Sequence, residues 1–285
     1  MTTPKKIKKA AKYTDTWLAN KQAQHVKMVE NSVVKFQNHV IDQLAKLAVN
    51  KSGRIEGILV NLKQAQEIQS QIEVLFDQDF SENIKKVIAD FDSVKKAIQT
   101  SFGYIDESVK FTSVDKTMME VLKNGYYQQY FLAGSMQKSK VIQAMYDQIL
   151  ANSKFSELLT TIQGLVTGEK SVTGIPLSNY AKTYANDFIM NFHNEVNLSK
   201  AQKAGLTHYL YVGNIIRDSR PFCISRAGRY YTAEEINSWV FKWAGKSGPA
   251  MTHRGGWNCR HHWQPIKPKW IGNVSKIEIQ NWFTE

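Results

Sequence analysis

Upstream of Gly205, apolar residues recur at alternating steps of three and four, and that spacing leaves little choice but helix. In residues 14–50 they fall at Val26, Val29, Val33, Phe36, Val40, Leu44 and Leu47, one continuous stripe on one helix face. Thr14 or Asp15 can cap that helix, and Lys51-Ser52-Gly53 breaks it. A second stripe uses Ile55, Leu59, Leu62, Ile68, Ile72 and Leu75. A third, started by Asp79 or Ser81, uses Ile84, Val87, Phe91, Val94, Ile98 and Phe102. Three such helices predict an antiparallel bundle, although a contact between chains would use the same pattern. Residues 106–167 stay helical, and Gly125 and Gly134 predict a turn near one of them, with a helix through 137–151. Residues 168–177 read as a loop. The helix after Ser178 carries Tyr180, Tyr184, Phe188 and Phe192 four apart, a stripe expected to be buried, and Gly205 ends it.

Beyond Gly205 the period changes. Residues 205–265 hold both cysteines and four of the seven histidines. Residues 207–216 read as a strand, Arg217 to Pro221 as a turn, and Thr232 with the following Glu234 and Glu235 as the cap of a short helix. Residues 245–256 form a Gly-rich loop, and 257–265 return as an extended segment. The expected fold is mainly α: a long helical N-terminal bundle followed by a small α+β C-terminal domain with short antiparallel strands. The expected division is a basic flexible arm at 1–13, a helical hairpin or bundle at 14–104, a helical body at 105–204, the small α+β domain at 205–268 and a tail at 269–285.

With 42% hydrophobic and 22% charged residues the chain can bury a core, which argues against wholesale disorder. A net charge of +12 favours a polyanionic partner (nucleic acid, an acidic membrane surface or an acidic protein), with solubility alone as the bland alternative. Two cysteines build no disulfide framework, which points to a reducing folding environment. The basic start is followed by no apolar core, and no stretch approaches the roughly 18 apolar residues of a membrane span. Synthesis in a cytoplasm and no membrane partner are therefore expected.

Four chemistries suit the 205–265 segment. Cys223, His253, Cys259 and His262 are soft or borderline ligands that can hold a tetrahedral Zn²⁺, with His261 or His262 close to Cys259 in sequence. No Cys-x-x-Cys pair supports that reading, and packed structural cysteines explain the same residues. A Cys–His nucleophile lacks an acidic residue to orient the imidazole. A structural network uses Asp218 and Arg220 at the turn with Asn258 and Arg260 on the returning segment, through a bidentate carboxylate–guanidinium pair and an Asn that satisfies the opposing turn. Finally, Lys5, Lys6, Lys8 and Lys9 of the arm, with Arg226, Arg229 and Arg254 among aromatic residues, suit sequence-independent contact with DNA.

The order of features here resembles the Mu-F-like phage head morphogenesis family, the minor head proteins of tailed phages. The residues that carry the likeness are Ala204-Gly205, the aromatic strand from Tyr209 to Val212, Asp218-Ser219-Arg220-Pro221-Phe222-Cys223, Gly228, and Asn258-Cys259-Arg260 with Pro265 after it. Two departures stand out: Cys223 where many members have His, and Gly-Gly-Trp where the approach to Asn-Cys-Arg is usually proline-rich. The likeness covers the last third of the chain well and leaves the first hundred residues outside. It implies a virion protein rather than an enzyme, with no cofactor, made in the host cytoplasm and present in multiple copies at the head or portal vertex. Its implied partners are the portal protein, capsid or scaffold proteins, and double-stranded DNA met by charge. Its implied role is in head assembly, DNA packaging and DNA ejection. Two rival readings remain: a metal-dependent nuclease or toxin-like effector using the Cys/His cluster, and a DNA-binding module without sequence preference.

Overall fold

The computed structural model describes residues 3–169, 174–243 and 246–283. Helices come first: α1 (Thr3–Leu44), α2 (Ile58–Phe76), α3 (Glu82–Ala89), α4 (Ser93–Ile105), α5 (Ser113–Leu150), α6 (Phe155–Val166) and α7 (Leu177–Lys203). Then follow β1 (His208–Val212), α8 (Pro221–Arg226), β2 (Tyr230–Thr232), α9 (Ala233–Ser238), β3 (Val240–Trp243), β4 (Lys246–Pro249), α10 (Ala250–His253), β5 (His262–Ile266) and α11 (Lys276–Asn281). The chain is mainly α with a small α+β C-terminal region, as its periodicity predicts. A π-helical turn at Asp77–Ser81 joins α2 to α3, and a 3-10 turn at Asp90–Asp92 joins α3 to α4.

The helices depart from the sequence reading in three places. The basic arm of residues 1–13 is, from Thr3 on, the start of α1. Ile7, Ala10 and Ala11 are buried there at helical spacing, so the stripe begins well before Thr14. The stripe of α2 holds at Ile68 and Ile72 but fails at its start, where Leu59 is 91% exposed whereas Asn61 is 1% exposed. Asn61 is inside because its amide donates to the carbonyls of Ala48 and Glu56 and accepts from the Ala48 amide, closing the turn between α1 and α2. Last, α5 runs through both of its glycines without a turn. A Cβ at Gly134 would lie 2.5 Å from Phe80 and 2.7 Å from Phe76, so the glycine marks a close approach of two rings. The loop expected at 168–177 falls partly outside the described residues. Of the aromatic stripe on α7, Phe188 and Phe192 are buried while Tyr180 and Tyr184 are half-buried.

The chain divides into two compact units, each assembled from separated stretches of sequence. One comprises Gln24–Ala89 and Asn124–Ala185. Its core includes Val29, Val33, Phe36, Val40, Ile68, Ile72, Phe76 and Phe80, all at most 1% exposed. Asp79 is buried within it and paired to Lys35 at 2.9 Å and His39 at 2.6 Å.

The other comprises Met1–Ala23, Asp90–Lys123 and Asn186–Glu285. Its centre is a three-stranded antiparallel sheet in the order β2-β1-β5, with Tyr211 opposite Trp263 and Val212 opposite His262. Alternation sends neighbouring residues to opposite faces. Tyr211, Trp263, Tyr231, Trp239 and Phe222 form an aromatic cluster on one face, with Tyr211 and Trp263 centroids 4.4 Å apart. On the other, His262 meets His193 of α7 at 6.3 Å, and Ser101 of α4 donates to Gln264 at 3.4 Å. Asn197 of α7 also donates to the Trp263 carbonyl at 2.9 Å. Asp115 near the start of α5 accepts from Lys200 at 2.9 Å and Lys203 at 2.6 Å, and it caps Thr112. The capping box predicted at Thr232 forms with Glu235. A second one, Ser275 with Glu278, starts α11.

Candidate functional site

The site is built where three short segments converge: the end of β1, the turn leading into α8, and the loop from α10 to β5. Pro221 opens α8, where a missing amide costs nothing, and the first turn brings Cys223 inward. The loop then presents Gly255, Cys259 and His261. Cys259 and His261 are two apart on an extended segment and so share a side. The two thiols are free, with their sulfurs 3.7 Å apart. Cys259 Sγ is 3.8 Å from His261 Nδ1, and the three ligand atoms lie within 4.8 Å of one another, all buried. The Tyr211 hydroxyl stands 3.4 Å from Cys223 Sγ and 3.5 Å from Cys259 Sγ, while its ring stacks on His261 at 5.0 Å. Gly255 donates its amide to Cys259 Sγ at 3.3 Å. A Cβ on Gly255 would overlap Cys223 Sγ, so only glycine lets the loop come this close.

A cavity of about 60 Å³ adjoins the group, lined among others by Asn214, Asp218, Arg220, Asn258 and Arg260. The four residues expected to form a structural network thus share one cavity, but not through the bonds expected of them. Arg220 donates to the carbonyls of Gly255 at 3.0 Å and Trp257 at 2.6 Å. Asp218 is exposed and makes no ion pair among the described residues, and Arg260 is likewise exposed. The carboxylate that serves the loop is Asp187 of α7, which accepts the Asn258 amide at 2.8 Å. Asn258 itself sits at φ 56, a left-handed conformation that Asn tolerates. Its side chain accepts from Asn186 at 3.2 Å. A guanidinium fork on two carbonyls replaces the expected pair because the loop's peptide groups, unpaired by any strand, need donors.

The metal-ligand set differs too. His261 occupies the place expected for His262 or His253. His262 points to the opposite face of the sheet, fully buried against His193, with neither ring nitrogen hydrogen-bonded. His253 belongs to α10 and lies outside the group. Of the candidate DNA contacts, Arg254 is excluded: it is 0% exposed, and its Nη1 donates to Asn191 and to the Thr252 carbonyl, both at 2.8 Å. The Arg226 guanidinium lies over the rings of Phe222 at 4.1 Å and Trp239 at 4.3 Å. Lys5, Lys9 and Arg229 are exposed, and Lys6 and Lys8 are half-buried.

Electrostatics divides the two thiols. The hydrogen bond to Cys259, then burial, pushes the Cys223 thiol up, so it keeps its proton. Burial opposes ionisation of Cys259, but the hydrogen bonds from Cys223 and His261 and the charge of Arg254 outweigh it and hold that thiol well below its usual range. Burial, then the charge of Cys259, raises Tyr211 well above an ordinary phenol. Burial lowers His193 to about 3, with the Arg254 charge acting in the same direction. Burial, then the charges of His193, His261 and Arg254, lowers His262 as well. Burial pushes the Asp15 carboxyl up to about 6, against the opposing pull of His261. Chemically, two sulfurs and an imidazole around one point make a soft-metal donor set.

No family model, no curated protein and no solved structure matches the chain. No helix among the described residues is long and apolar enough to cross a membrane.

Proposed function

We propose that this chain is a structural minor head protein of a tailed phage, held at the portal vertex or the capsid interior in several copies, and assisting head assembly and genome packaging or delivery. The observation that supports this reading is the meeting of its scattered motif. Arg220 of the Asp-x-x-Arg turn binds the carbonyls of Gly255 and Trp257, directly before Asn258-Cys259-Arg260. Gly228, another piece of the motif, donates its amide to Tyr211 of β1 at 2.9 Å with φ at 76°. Purified procapsids and mature particles of the phage that encodes the chain are expected to contain it, and portal protein is expected to retain it in a pull-down. Absence from both particles, together with no portal binding, overturns the reading.

Contact with double-stranded DNA in this reading runs through exposed cations such as Lys5, Lys9 and Arg229, and its affinity falls steeply with salt without regard to sequence. The nuclease or toxin-like alternative draws on the Cys223, Cys259 and His261 group alone. Metal-dependent cleavage of DNA by the purified chain, lost in H261A, would favour it over the virion reading.

A further inference from the structure

We propose that Cys223, Cys259 and His261 form a zinc site that clamps α8 to the loop before β5, with a water from the adjoining cavity as the fourth ligand. Two of the three donor separations match those of a tetrahedral ion, and the third closes to within 4.8 Å. Two sulfurs about 2.3 Å from a tetrahedral zinc stand about 3.8 Å apart, and a sulfur and an imidazole nitrogen stand about 3.5 Å apart. The observed separations are 3.7 Å for Cys223 Sγ to Cys259 Sγ and 3.8 Å for Cys259 Sγ to His261 Nδ1. Those atoms come from segments 36 residues apart in sequence, so the ion would join parts of the chain that no disulfide joins.

The surroundings are those of a supported site. The Gly255 amide points at Cys259 Sγ, as donors around a metal-bound thiolate do, and Arg220 holds the Gly255 carbonyl. Tyr211 stacks flat on His261, interplanar angle 10°, and holds the ring in the plane that turns Nδ1 toward the sulfurs. One usual support is absent among the described residues: His261 Nε2 has no hydrogen-bond partner. Cys223, Cys259 and His261 all line the cavity of about 60 Å³, several times what one water needs, so a fourth ligand has room beside them. The donor set of two sulfurs, one nitrogen and one oxygen suits zinc over hard cations such as magnesium or calcium. The site stands independently of the virion reading.

The test uses the full chain without an affinity tag, purified reduced and without chelator. Elemental analysis is expected to find one zinc per chain. Replacement by Co²⁺ is expected to give the thiolate-to-cobalt charge-transfer band and the intense visible bands of a tetrahedral centre. C259S and H261A are expected to lose the metal, whereas H253A keeps it. The wild-type cobalt spectrum guards against variants that fail to fold, since it needs no substitution. Folded, reduced wild-type chain that takes up neither zinc nor cobalt overturns the proposal. So does full zinc retention in both C259S and H261A.

Discussion

Arg220 donates to the carbonyl of Trp257 at 2.6 Å and to that of Gly255 at 3.0 Å, so one guanidinium ties the turn after β1 to the loop that carries Asn258 and Cys259. Removing it leaves two carbonyls of a half-buried loop without donors. R220A is expected to cost about 2 kcal/mol in urea unfolding. R220K should recover little of that, because an ammonium cannot span both oxygens as a planar fork does. Equal stability of R220K and the wild type would refute the fork.

Three glycine-to-alanine changes separate close approach from mere flexibility. Gly125 in α5 has nothing within 4 Å of the position an added methyl would take, so G125A should stabilise by roughly 0.5–1 kcal/mol through helix propensity. G134A, in the same helix, meets Phe80 and Phe76 at 2.5 and 2.7 Å and should destabilise by about 1–3 kcal/mol despite the same gain. G255A should destabilise by a similar amount and also displace Cys223. Thermal midpoints of the three variants check the signs.

Asp115 is 0% exposed and receives Lys200 and Lys203. Burial pushes its carboxyl up, but the hydrogen bonds of Lys203, Lys200 and Thr112 outweigh it and hold the group well below the usual carboxylate range. D115N leaves Lys200, itself 3% exposed at its side chain, without its countercharge. A loss of about 3 kcal/mol is expected in denaturant unfolding. A loss below about 1 kcal/mol would show that water replaces the pair.

His193 binds its proton only near pH 3 when folded, against 6.5 when unfolded. Its contribution is therefore complete above pH 6.5 and drains away as pH falls toward 3, by about 1.4 kcal/mol per pH unit. His262, faced by His193, His261 and Arg254, acts in the same direction. Asp15, raised from 3.8 to about 6, opposes them between those values, since its folded form takes up a proton first. The net expectation is falling stability from neutral pH to about pH 4. Urea midpoints across that range should decline less steeply in H193Q, and an unchanged slope would remove His193 from the account.

Much of the helical part was legible because buried apolar residues at 3.6 spacing leave a strong trace: Val29, Val33, Phe36, Val40 and Leu44 are all buried. The start of α1 was obscured because Ile7, Ala10 and Ala11 are small signals among lysines. Counting only apolar residues placed Ile68 and Ile72 of α2 correctly but put Leu59 and Leu62 inside, where the buried position belongs to Asn61, whose role depends on carbonyls supplied by another turn. In the site, both cysteines were legible, and His261 stood as one of three candidate histidines with His253 and His262. Strand alternation from Cys259 selects His261, and that signal was present in the sequence. Nothing local marks Arg254 as buried, because its partner Asn191 lies 63 residues away. Nor does the sequence reveal that Arg220 seeks peptide carbonyls instead of a carboxylate.

The unit built from Met1–Ala23, Asp90–Lys123 and Asn186–Glu285 has a consequence for biosynthesis. Ile7, Ala10, Ala11 and Leu18 leave the ribosome long before the residues from Asn186 on that complete their unit, an interval on the order of ten seconds at ordinary elongation rates. The unit of Gln24–Ala89 and Asn124–Ala185 is finished earlier, so the nascent chain matures from its middle outward.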